Sequence, residues 1–273
     1  MSAPARYGVI GNPIAHSKSP AIHAAFARQT GQVIEYERCL APLDAFAATV
    51  AALAQAGWRG ANVTVPFKLE AAALCTRLSE RAEAAGAVNT LVFSGGAIEG
   101  DNTDGAGLVN DIVRNAGCSI AGKRVLLLGA GGAARGAILP LLGQGPAQLV
   151  IANRTGATAD ALAARFAGPG RTVSACAYAD LDGPFELVVN ATSASLGGAM
   201  PPVPSGVFGA GTLALDMMYG HQPTPFMAFA TEYGAGARDG LGMLVEQAAE
   251  AFALWRGVRP DTAAILRHMR TTL

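Results

Sequence analysis

The sequence predicts an α/β protein of two domains, each built around a largely parallel β-sheet. Short apolar runs alternate with longer helical stretches over most of the 273 residues, which is typical of strand–helix–strand units. A second series that starts with a strand begins after residue 103, and no flexible linker separates the two halves. The length also suits two domains of ordinary size.

The first series consists of strands, helices and a hairpin. Strands are predicted at 7–10, 33–40 and 61–65, and helices at 20–29, 43–56 and from Pro66 onwards. The segments 88–93 and 97–101 flank Ser94-Gly95-Gly96, and apolar runs joined through such glycines are typical of a β-hairpin.

The second series opens with a strand of the buried type. This strand, at 123–128, leads directly into a glycine-rich turn and a helix that ends near residue 142. Further strands are predicted at 148–152, 173–178, 187–190 and 212–217, and a helical tail at 241–273.

The composition indicates a folded chain without a charge bias. Apolar residues make up 51% and charged residues 15%, a balance that excludes intrinsic disorder. Lysine plus arginine equals aspartate plus glutamate, at 20 each, so neither nucleic acid nor an anionic membrane is expected as a partner.

Cysteine usage and the apolar runs bear on the location of the protein. The cysteines at positions 39, 75, 118 and 176 lack metal-binding or redox spacing, which predicts no metal site and a reducing compartment. The first residues lack the features of a signal peptide, and no apolar run approaches the roughly 18 residues of a membrane span. We expect a cytoplasmic protein, and, with no heptad seam, a monomer or a homodimer.

The turn after residue 128 has the spacing of a dinucleotide-binding loop, Gly129-Ala130-Gly131-Gly132-Ala133-Ala134. Gly129 permits a tight turn, Gly131 lets the backbone approach a pyrophosphate, and Ala134 lets the helix pack closely on the sheet. Backbone N–H groups and the helix dipole favour a phosphate there. A turn that serves packing alone is the alternative, but the strand–loop–helix context favours a dinucleotide.

The end of the next strand indicates which dinucleotide is bound. An NAD site usually has an acid here for the ribose 2′-hydroxyl, whereas this chain has Asn153-Arg154-Thr155. A guanidinium suits a 2′-phosphate through its charge and its paired hydrogen bonds. We therefore predict NADP as the cofactor, against the alternative of a surface arginine in a loop.

Two charged residues are candidates for acid–base chemistry. Lys68 falls in the first turn of a predicted helix, where the helix dipole disfavours a cation, so local helix energetics do not explain it. Asp104 follows the predicted domain junction, and a carboxylate beside Lys68 would complete a pair for carbonyl–alcohol interconversion. A solvated lysine, and a helix cap at Thr103 or Asp104, are the alternatives.

Other polar residues have structural and functional interpretations. Ser19 before Pro20 is typical of a helix N-cap, yet a helix start with hydroxyls at Ser17 and Ser19 can also bind a carboxylate. Gln247 lies on a predicted apolar stripe that includes Leu254. A glutamine on such a stripe needs a hydrogen-bond partner, which a polyol ligand could provide.

Taken together, these segments resemble the shikimate dehydrogenase family, and the matching stretches follow one another in family order. They are GNPIAHSKSP at 11–20, GANVTVPFK at 60–68, GAVNT at 86–90, GDNTDG at 100–105, GAGGAA at 129–134, NRT at 153–155, NATS at 190–193, DMMY at 216–219 and DGLGMLVEQA at 239–248.

The resemblance implies a fold and a reaction. The fold would comprise a mostly parallel α/β substrate domain of residues 1–103, completed by C-terminal helices at 239–273, and a Rossmann-type, doubly wound NADP domain of residues 104–238. The reaction would be the reversible, NADPH-dependent reduction of 3-dehydroshikimate to shikimate in chorismate and aromatic amino-acid biosynthesis. Hydride would be added at C3, with Lys68 and Asp104 as the acid–base pair.

The resemblance also implies binding roles for the matching positions. The substrate would be bound by Ser17, Ser19, Thr64, Asn89, Asp104, Tyr219 and Gln247. The cofactor would be bound by Glu80, Gly129, Ala130, Gly131, Gly132, Ala133, Asn153, Arg154, Thr155, Met217 and Gly240.

One position departs from the family pattern. Family members often have a second arginine four residues after the first, where this chain has Thr158. The missing cation keeps an NAD-preferring quinate/shikimate dehydrogenase as an alternative. A non-catalytic, ligand-binding regulator of the same fold is a further alternative, which the presence of both Lys68 and Asp104 opposes.

Overall fold

The computed structural model describes residues 3–271. Within those residues the strands form two six-stranded sheets, one from each half of the chain. The strands of the first sheet are β1 (Ala5–Gly11), β2 (Ile34–Leu40), β3 (Gly60–Val63), β4 (Arg77–Leu78), β5 (Thr90–Ser94) and β6 (Ala97–Asp101). Its helices are α1 (Ser19–Thr30), α2 (Phe46–Gln55), α3 (Lys68–Leu74) and α4 (Glu80–Ala85).

The first sheet is mostly parallel, in the order β2-β1-β3-β5-β6-β4. Strand β1 pairs in parallel with β2 and β3, and β4 with β6, whereas β5 runs antiparallel to both its neighbours. The predicted hairpin is formed by β5 and β6, with Ser94 opposite Ala97. Its turn consists of Gly95 and Gly96, with φ of +57° and +83°, values that side chains disfavour.

The second sheet is wholly parallel. Its strands are β7 (Arg124–Leu128), β8 (Gln148–Ala152), β9 (Val173–Cys176), β10 (Leu187–Asn190), β11 (Leu213–Asp216) and β12 (Gly236–Arg238), and its helices are α6 (Gly132–Leu142), α7 (Gly156–Phe166) and α8 (Pro225–Glu232), with α5 (Asp104–Asn110) before β7. The order β12-β11-β10-β7-β8-β9 is that of a doubly wound Rossmann sheet, so the predicted fold class is confirmed.

The C-terminal helices return to the first half of the chain. They are α9 (Leu241–Arg256) and α10 (Ala263–Thr271), and residues 272–273 of the predicted tail lie outside the described residues. Leu241 and Val245 of α9 share a buried cluster with Ile22 and Phe26 of α1. Helix α5, which continues as a π-helical turn over Asp111–Asn115, lies against both α6 and α9. The domain boundaries at 103 and 239 stay predictions.

The helix starts differ from the prediction. Helix α1 begins at Ser19 itself, and Lys18 occupies the N-cap position without a side-chain capping bond, so the N-cap interpretation of Ser19 is wrong. Thr103 occupies the N-cap position of α5, also without a side-chain capping bond. The hydroxyls and the carboxylate at these two helix starts are therefore available for contacts other than capping.

Further differences concern short or half-exposed segments. Strand β3 ends at Val63 rather than at residue 65. The stripe predicted around Gln247 is wrong at Leu254, which is 46% exposed. The short segments β4, α4, α8 and β12 were not among the predicted elements. Among residues 3–271, no helix is both long enough and apolar enough to cross a membrane.

Candidate active site

A cavity of about 340 Å³ opens where the carboxyl ends of β1 and β3 meet the start of α9. Its lining combines residues from both halves of the chain. Among them are Ser17, Ser19, Asn62, Thr64, Lys68, Asn89, Asp104, Met217, Tyr219, Gly240 and Gln247. The structure thus brings together every residue that was predicted for catalysis or substrate binding, although their roles stay predictions.

Lys68 and Asp104 form an ion pair in this cavity. The Lys68 Nζ donates to the Asp104 Oδ2 at 2.6 Å. The Lys68 side chain is 29% exposed and that of Asp104 is 11% exposed, so the pair is shielded from bulk water on most sides. Each residue opens a helix, Lys68 at α3 and Asp104 at α5. The ammonium is therefore held at the cavity by a carboxylate whose own position is fixed by a helix start.

Asn89 holds the other oxygen of the carboxylate. The backbone N–H of Thr103 donates to Asn89 Oδ1 at 2.8 Å, which fixes the orientation of the amide. The amide Nδ2 consequently faces Asp104 and donates to its Oδ1 at 2.8 Å. The Oε1 of Gln247 lies 3.3 Å from the same nitrogen, and its Nε2 donates to the Leu244 carbonyl at 2.9 Å. Gln247 therefore has partners within the protein, and its contact with a polyol ligand stays a prediction.

The segment before Asp104 is bound to α4 by side-chain hydrogen bonds. Arg81 donates to Asp101 through Nε at 2.7 Å and Nη2 at 2.6 Å. Burial alone would raise the pKa of Asp101, but the bonds from Arg81 and Ser79 hold that pKa below its usual value. The next residue, Asn102, accepts from the backbone N–H of Asp104 at 3.1 Å. These bonds fix where α5 begins, and hence where Asp104 lies.

The hydroxyls at the opposite side of the cavity are also held in place. Ser17 Oγ accepts from the backbone N–H of Ser19 at 3.3 Å. Arg38 donates to the Ser17 carbonyl at 2.7 Å through Nη2, which anchors the loop after β1. The Tyr219 phenol is protonated at neutral pH and can donate a hydrogen bond, and burial raises its pKa further. The group offers neutral donors to an anion.

A second cavity, of about 660 Å³, lies at the carboxyl ends of β7 and β10. The strand order reverses between these two strands, which is where doubly wound folds bind ligands. Seven of the residues predicted for the cofactor line this cavity: Gly129, Ala130, Gly131, Gly132, Ala133, Asn153 and Arg154. Unpredicted members of the lining include Thr192 and Ser193, whose family motif at 190–193 was the available signal.

The glycine loop has the shape that a pyrophosphate requires. Gly129 has φ of +105°, and a Cβ there would lie 3.2 Å from Thr192 Cγ2. A Cβ on Gly131 or Gly132 would meet nothing within 4 Å, so open space lies beside the backbone. Helix α6 begins at Gly132 without a side-chain cap, which leaves its first N–H groups free of that partner. These residues fit a dinucleotide.

The remaining predicted cofactor residues lie at different distances from this cavity. Thr155 is the N-cap residue of α7, outside the lining, and its carbonyl accepts from Asn153 Nδ2 at 3.1 Å. Met217 and Gly240 line the first cavity instead. Glu80 is exposed at the start of α4 and lies outside both linings. The structure therefore does not bring Glu80 together with the other predicted residues.

A buried carboxylate connects the loops of the two cavities. Asp216, at the end of β11, accepts from Ser195 Oγ at 2.7 Å and from Thr224 Oγ1 at 2.6 Å. Its other oxygen accepts from the Met218 backbone N–H at 3.0 Å. Asp216 is fully buried, so these three neutral donors compensate its lost hydration. It thereby joins the loop after β10 to the loop that carries Tyr219.

A doubly wound domain with a dinucleotide loop, beside a polar cavity with a lysine–aspartate pair, defines a two-domain, dinucleotide-dependent oxidoreductase. Three family models match the chain. Residues 9–91 match the "Shikimate dehydrogenase substrate binding domain", residues 111–196 "Shikimate / quinate 5-dehydrogenase", and residues 240–270 the "Shikimate 5'-dehydrogenase C-terminal domain".

Curated relatives and solved structures agree with these models. The chain is 64% identical to the shikimate dehydrogenase (NADP(+)) of Herminiimonas arsenicoxydans over 268 residues, which cover 98% of each chain. It is also similar to the crystal structure of an Ael1 enzyme from Pseudomonas putida, with 50% identity, a TM-score of 0.93 and 97% of each chain covered.

A further similar structure holds ligands. The crystal structure of shikimate 5-dehydrogenase from Thermus thermophilus in complex with NADP(H) and shikimate is 34% identical, with a TM-score of 0.88. The match covers 98% of this chain and 100% of that one. The chain belongs to the shikimate dehydrogenase family of oxidoreductases, and the resemblance found in its motifs is confirmed.

Proposed function

We propose that this chain catalyses the reversible, NADPH-dependent reduction of 3-dehydroshikimate to shikimate, with hydride added at C3. The observation that carries the proposal is the Lys68–Asp104 ion pair in a cavity lined from both halves of the chain. Relatives that cover nearly the whole chain and bear the name shikimate dehydrogenase (NADP(+)) support the substrate and the cofactor.

The second cavity supplies the residues for NADP. The N–H groups of the glycine loop and of the start of α6 would bind the pyrophosphate, and Arg154 would bind the 2′-phosphate. Met217 and Gly240 would lie beside the nicotinamide, because they line the cavity that contains Lys68. When bound, the reduced cofactor supplies the hydride, and the protein supplies position and a proton.

The proton step is assigned to the ion pair. The Lys68 ammonium donates a proton from Nζ to the C3 oxygen as that oxygen gains negative charge, and it stabilises the charge as it develops. Asp104 keeps the ammonium beside the reacting oxygen, and Asn89 keeps Asp104 in place. In the reverse direction Lys68 Nζ takes the proton back.

The other polar residues of the cavity would orient the substrate. Ser17, Ser19 and Tyr219 would present neutral donors to its carboxylate, and burial, which raises the pKa of Tyr219, further favours the protonated phenol. Thr64, Asn89 and Gln247 would bind the ring hydroxyls. We place the enzyme in the cytoplasm, because its four cysteines are all free, as is usual in a reducing compartment. We further propose that it is a monomer or a homodimer.

Steady-state kinetics with two substrates and two cofactors test the proposal. The purified chain is assayed with shikimate or quinate, each with NADP⁺ or NAD⁺, and kcat/KM is compared among the four combinations. We expect the highest value for shikimate with NADP⁺, because Arg154 supplies a cation for the 2′-phosphate. Absence of shikimate oxidation with either cofactor would refute the proposed function.

A second candidate function is that of an NAD-preferring quinate/shikimate dehydrogenase. The observation that favours it is Thr158, an exposed residue of α7 at the position where family members often have a second arginine. The description of one matching family model also includes quinate. The same four-way assay separates the candidates, since this one requires a higher kcat/KM with NAD⁺ than with NADP⁺.

A further inference from the structure

A series of buried hydrogen bonds runs beneath the first cavity and ends at the carboxylate of Asp104. Tyr36 Oη donates to Asn62 Oδ1 at 2.7 Å, and Asn62 Nδ2 donates to Thr90 Oγ1 at 3.1 Å. Thr90 Oγ1 donates to Asn89 Oδ1 at 2.9 Å, and Asn89 Nδ2 donates to Asp104 Oδ1 at 2.8 Å. Four side-chain bonds therefore connect a tyrosine of β2 to the acid–base pair.

The direction of each bond in the series is determined by its neighbours. An ionised carboxylate only accepts, and the Thr103 N–H only donates, so Asn89 must direct Nδ2 to Asp104 and Oδ1 to Thr103. Asn62 Nδ2 also donates to the Asn89 carbonyl at 3.2 Å, which fixes the Asn62 amide. The Thr90 hydroxyl consequently accepts from Asn62 and has one hydrogen, which it gives to Asn89.

Thr90 lies at the centre of this arrangement and is fully buried. It opens β5, where its backbone is paired with Asn62 of β3 and with Asp101 of β6. Thr90 does not line the cavity, so it can influence a ligand there only through its bonded partners Asn89 and Asn62, and of these two only Asn89 bonds to Asp104. A buried hydroxyl that both accepts and donates restricts its partners more than an apolar side chain of the same shape could.

We infer that Thr90 is a positioning residue for the acid–base pair: its hydroxyl holds the Asn89 amide, which in turn holds Asp104 against Lys68. The inference rests on the proposed function, in which Lys68 and Asp104 move the proton. It predicts that the hydroxyl of Thr90, rather than its shape, determines how accurately the pair is placed. Accurate placement affects the reaction step more than it affects ground-state binding.

Two substitutions separate the hydroxyl from the shape. Thr90→Val keeps the branched shape and removes the hydroxyl, whereas Thr90→Ser keeps the hydroxyl and removes the methyl group. We expect Thr90→Val to lower kcat about tenfold, because misplaced reacting groups slow the reaction, and to raise KM for shikimate by a smaller factor. Thr90→Ser should stay close to wild type. In Thr90→Val, shikimate binding measured by calorimetry should change less than kcat, and in Thr90→Ser it should stay close to wild type.

Several outcomes would overturn the inference. Equal losses of kcat in Thr90→Val and Thr90→Ser would show that Thr90 acts through packing alone. An unchanged kcat in Thr90→Val would show that its hydroxyl is not needed. If Thr90→Val fails to fold, Thr90→Ala and Thr90→Ser make the same comparison, because they differ only in the hydroxyl. We then expect kcat about tenfold higher for the serine variant, and equal values would contradict the inference.

Wild type and Lys68→Ala, assayed alongside, separate this inference from the proposed function. An inactive wild type, or a fully active Lys68→Ala, contradicts the proposed function whatever Thr90 does. A third outcome is that wild type is active and Lys68→Ala is impaired, while Thr90→Val keeps its full kcat. In that case the proposed function stands and only the inference about Thr90 is wrong.

Discussion

At the residue scale, the site depends on polar groups that are buried enough to be fixed and open enough to reach a ligand. Lys68 combines both properties, because its side chain is only 29% exposed and its ammonium bonds to Asp104 at the cavity lining. The helix dipole at the start of α3 disfavours a cation, so the ion pair compensates a locally unfavourable position. Helix stability therefore does not account for Lys68, in agreement with the catalytic role proposed for it.

Replacement of Lys68 should therefore affect turnover more than folding. We expect Lys68→Ala to lower kcat by a factor on the order of 10² to 10⁴, the usual contribution of a general acid, with a smaller change in KM. The matched control is Lys123→Ala, which removes a lysine near Cys118, outside both cavity linings. Steady-state kinetics check the prediction, and an unchanged kcat in Lys68→Ala would contradict the assigned role.

In the proposed function, cofactor choice depends on Arg154, an exposed cation at the second cavity. Removal of a hydrogen bond to a charged group costs about 1.5–3 kcal/mol, so Arg154→Ala should lower kcat/KM for NADP⁺ about ten- to a hundredfold. The value for NAD⁺, which lacks the 2′-phosphate, should change little. The reverse variant, Thr158→Arg, should increase the preference for NADP⁺. If Arg154→Ala leaves the ratio of the two kcat/KM values unchanged, Arg154 does not bind the 2′-phosphate.

A buried histidine should make folding sensitive to acid. His23 is stacked on Tyr36 with ring centroids 4.1 Å apart, and neither ring nitrogen has a hydrogen-bond partner among residues 3–271. Burial lowers the pKa of His23 from 6.5 to about 3, against a smaller opposing effect of the nearby Asn62. Between these values the unfolded chain takes up the proton first, so the free energy of unfolding decreases as the pH falls.

Replacement of this histidine should weaken the pH dependence. A single such group contributes at most about 1.4 kcal/mol per pH unit to the slope of unfolding free energy against pH. We expect His23→Phe, which keeps an aromatic ring beside Tyr36, to reduce the slope between pH 6 and pH 4 by about that amount. Urea titrations at several pH values measure the slope. Equal slopes for the variant and wild type would show that His23 is not buried and neutral.

At the element scale, the sequence was most informative where strands are buried on both faces. Strands β8 and β10 match the predicted ranges 148–152 and 187–190, because a parallel strand covered by helices is an uninterrupted apolar run. Strands β4 and β12 have two and three residues and are partly exposed, so no period could be recognised. Their positions depend on pairing with distant strands, and the local sequence pattern does not indicate such pairing.

In the site, too, some residues could be predicted from the local sequence, whereas others depend on contacts with distant strands. Lys68 and Asp104 could be predicted from motifs and from the misfit of a cation with a helix start. Tyr36, Asn62 and Thr90 were given no role, because their hydrogen bonds connect residues up to 28 positions apart. Polar residues that satisfy one another across strands have no periodic signature in sequence. The structure was needed to identify them as a connected set.

The close contact between α5 and α9 predicts that a side chain added at the contact would destabilise the protein. Gly107 of α5 lies so close to α9 that a Cβ there would be 2.6 Å from both the Cβ and the backbone nitrogen of Gln247. Gly107→Ala should therefore destabilise the protein by about 1–3 kcal/mol, the usual cost of overpacking. Because the displaced residue is Gln247, KM for shikimate should also rise.

A glycine with open space beside it serves as the control for this prediction. A Cβ on Gly206 would meet nothing within 4 Å and φ there is not in the left-handed region, so Gly206→Ala should leave stability and KM close to wild type. Thermal unfolding and shikimate kinetics are compared for the two variants. If both are as stable as wild type, the α5–α9 contact is not as tight as the structure indicates.

At the scale of the whole molecule, the proposed function requires that the two cavities, one at each sheet, lie close enough for cofactor and substrate to react. The second sheet presents the glycine loop to one cavity, and its loop after β11 carries Met217 and Tyr219 to the other. Asp216 ties that loop to the loop after β10. The fold can therefore bring a cofactor and a substrate together, with the Lys68–Asp104 pair beside them, although each ligand has its own binding residues.

A crystal structure of the chain with shikimate and NADP⁺ tests this account most directly. We expect shikimate in the first cavity, with its C3 hydroxyl about 3 Å from Lys68 Nζ, the distance that proton transfer requires. The nicotinamide should lie beside Met217 and Gly240, and the 2′-phosphate beside Arg154. A complex in which the C3 hydroxyl lies beyond hydrogen-bond reach of both Lys68 and Asp104 would contradict the central claim.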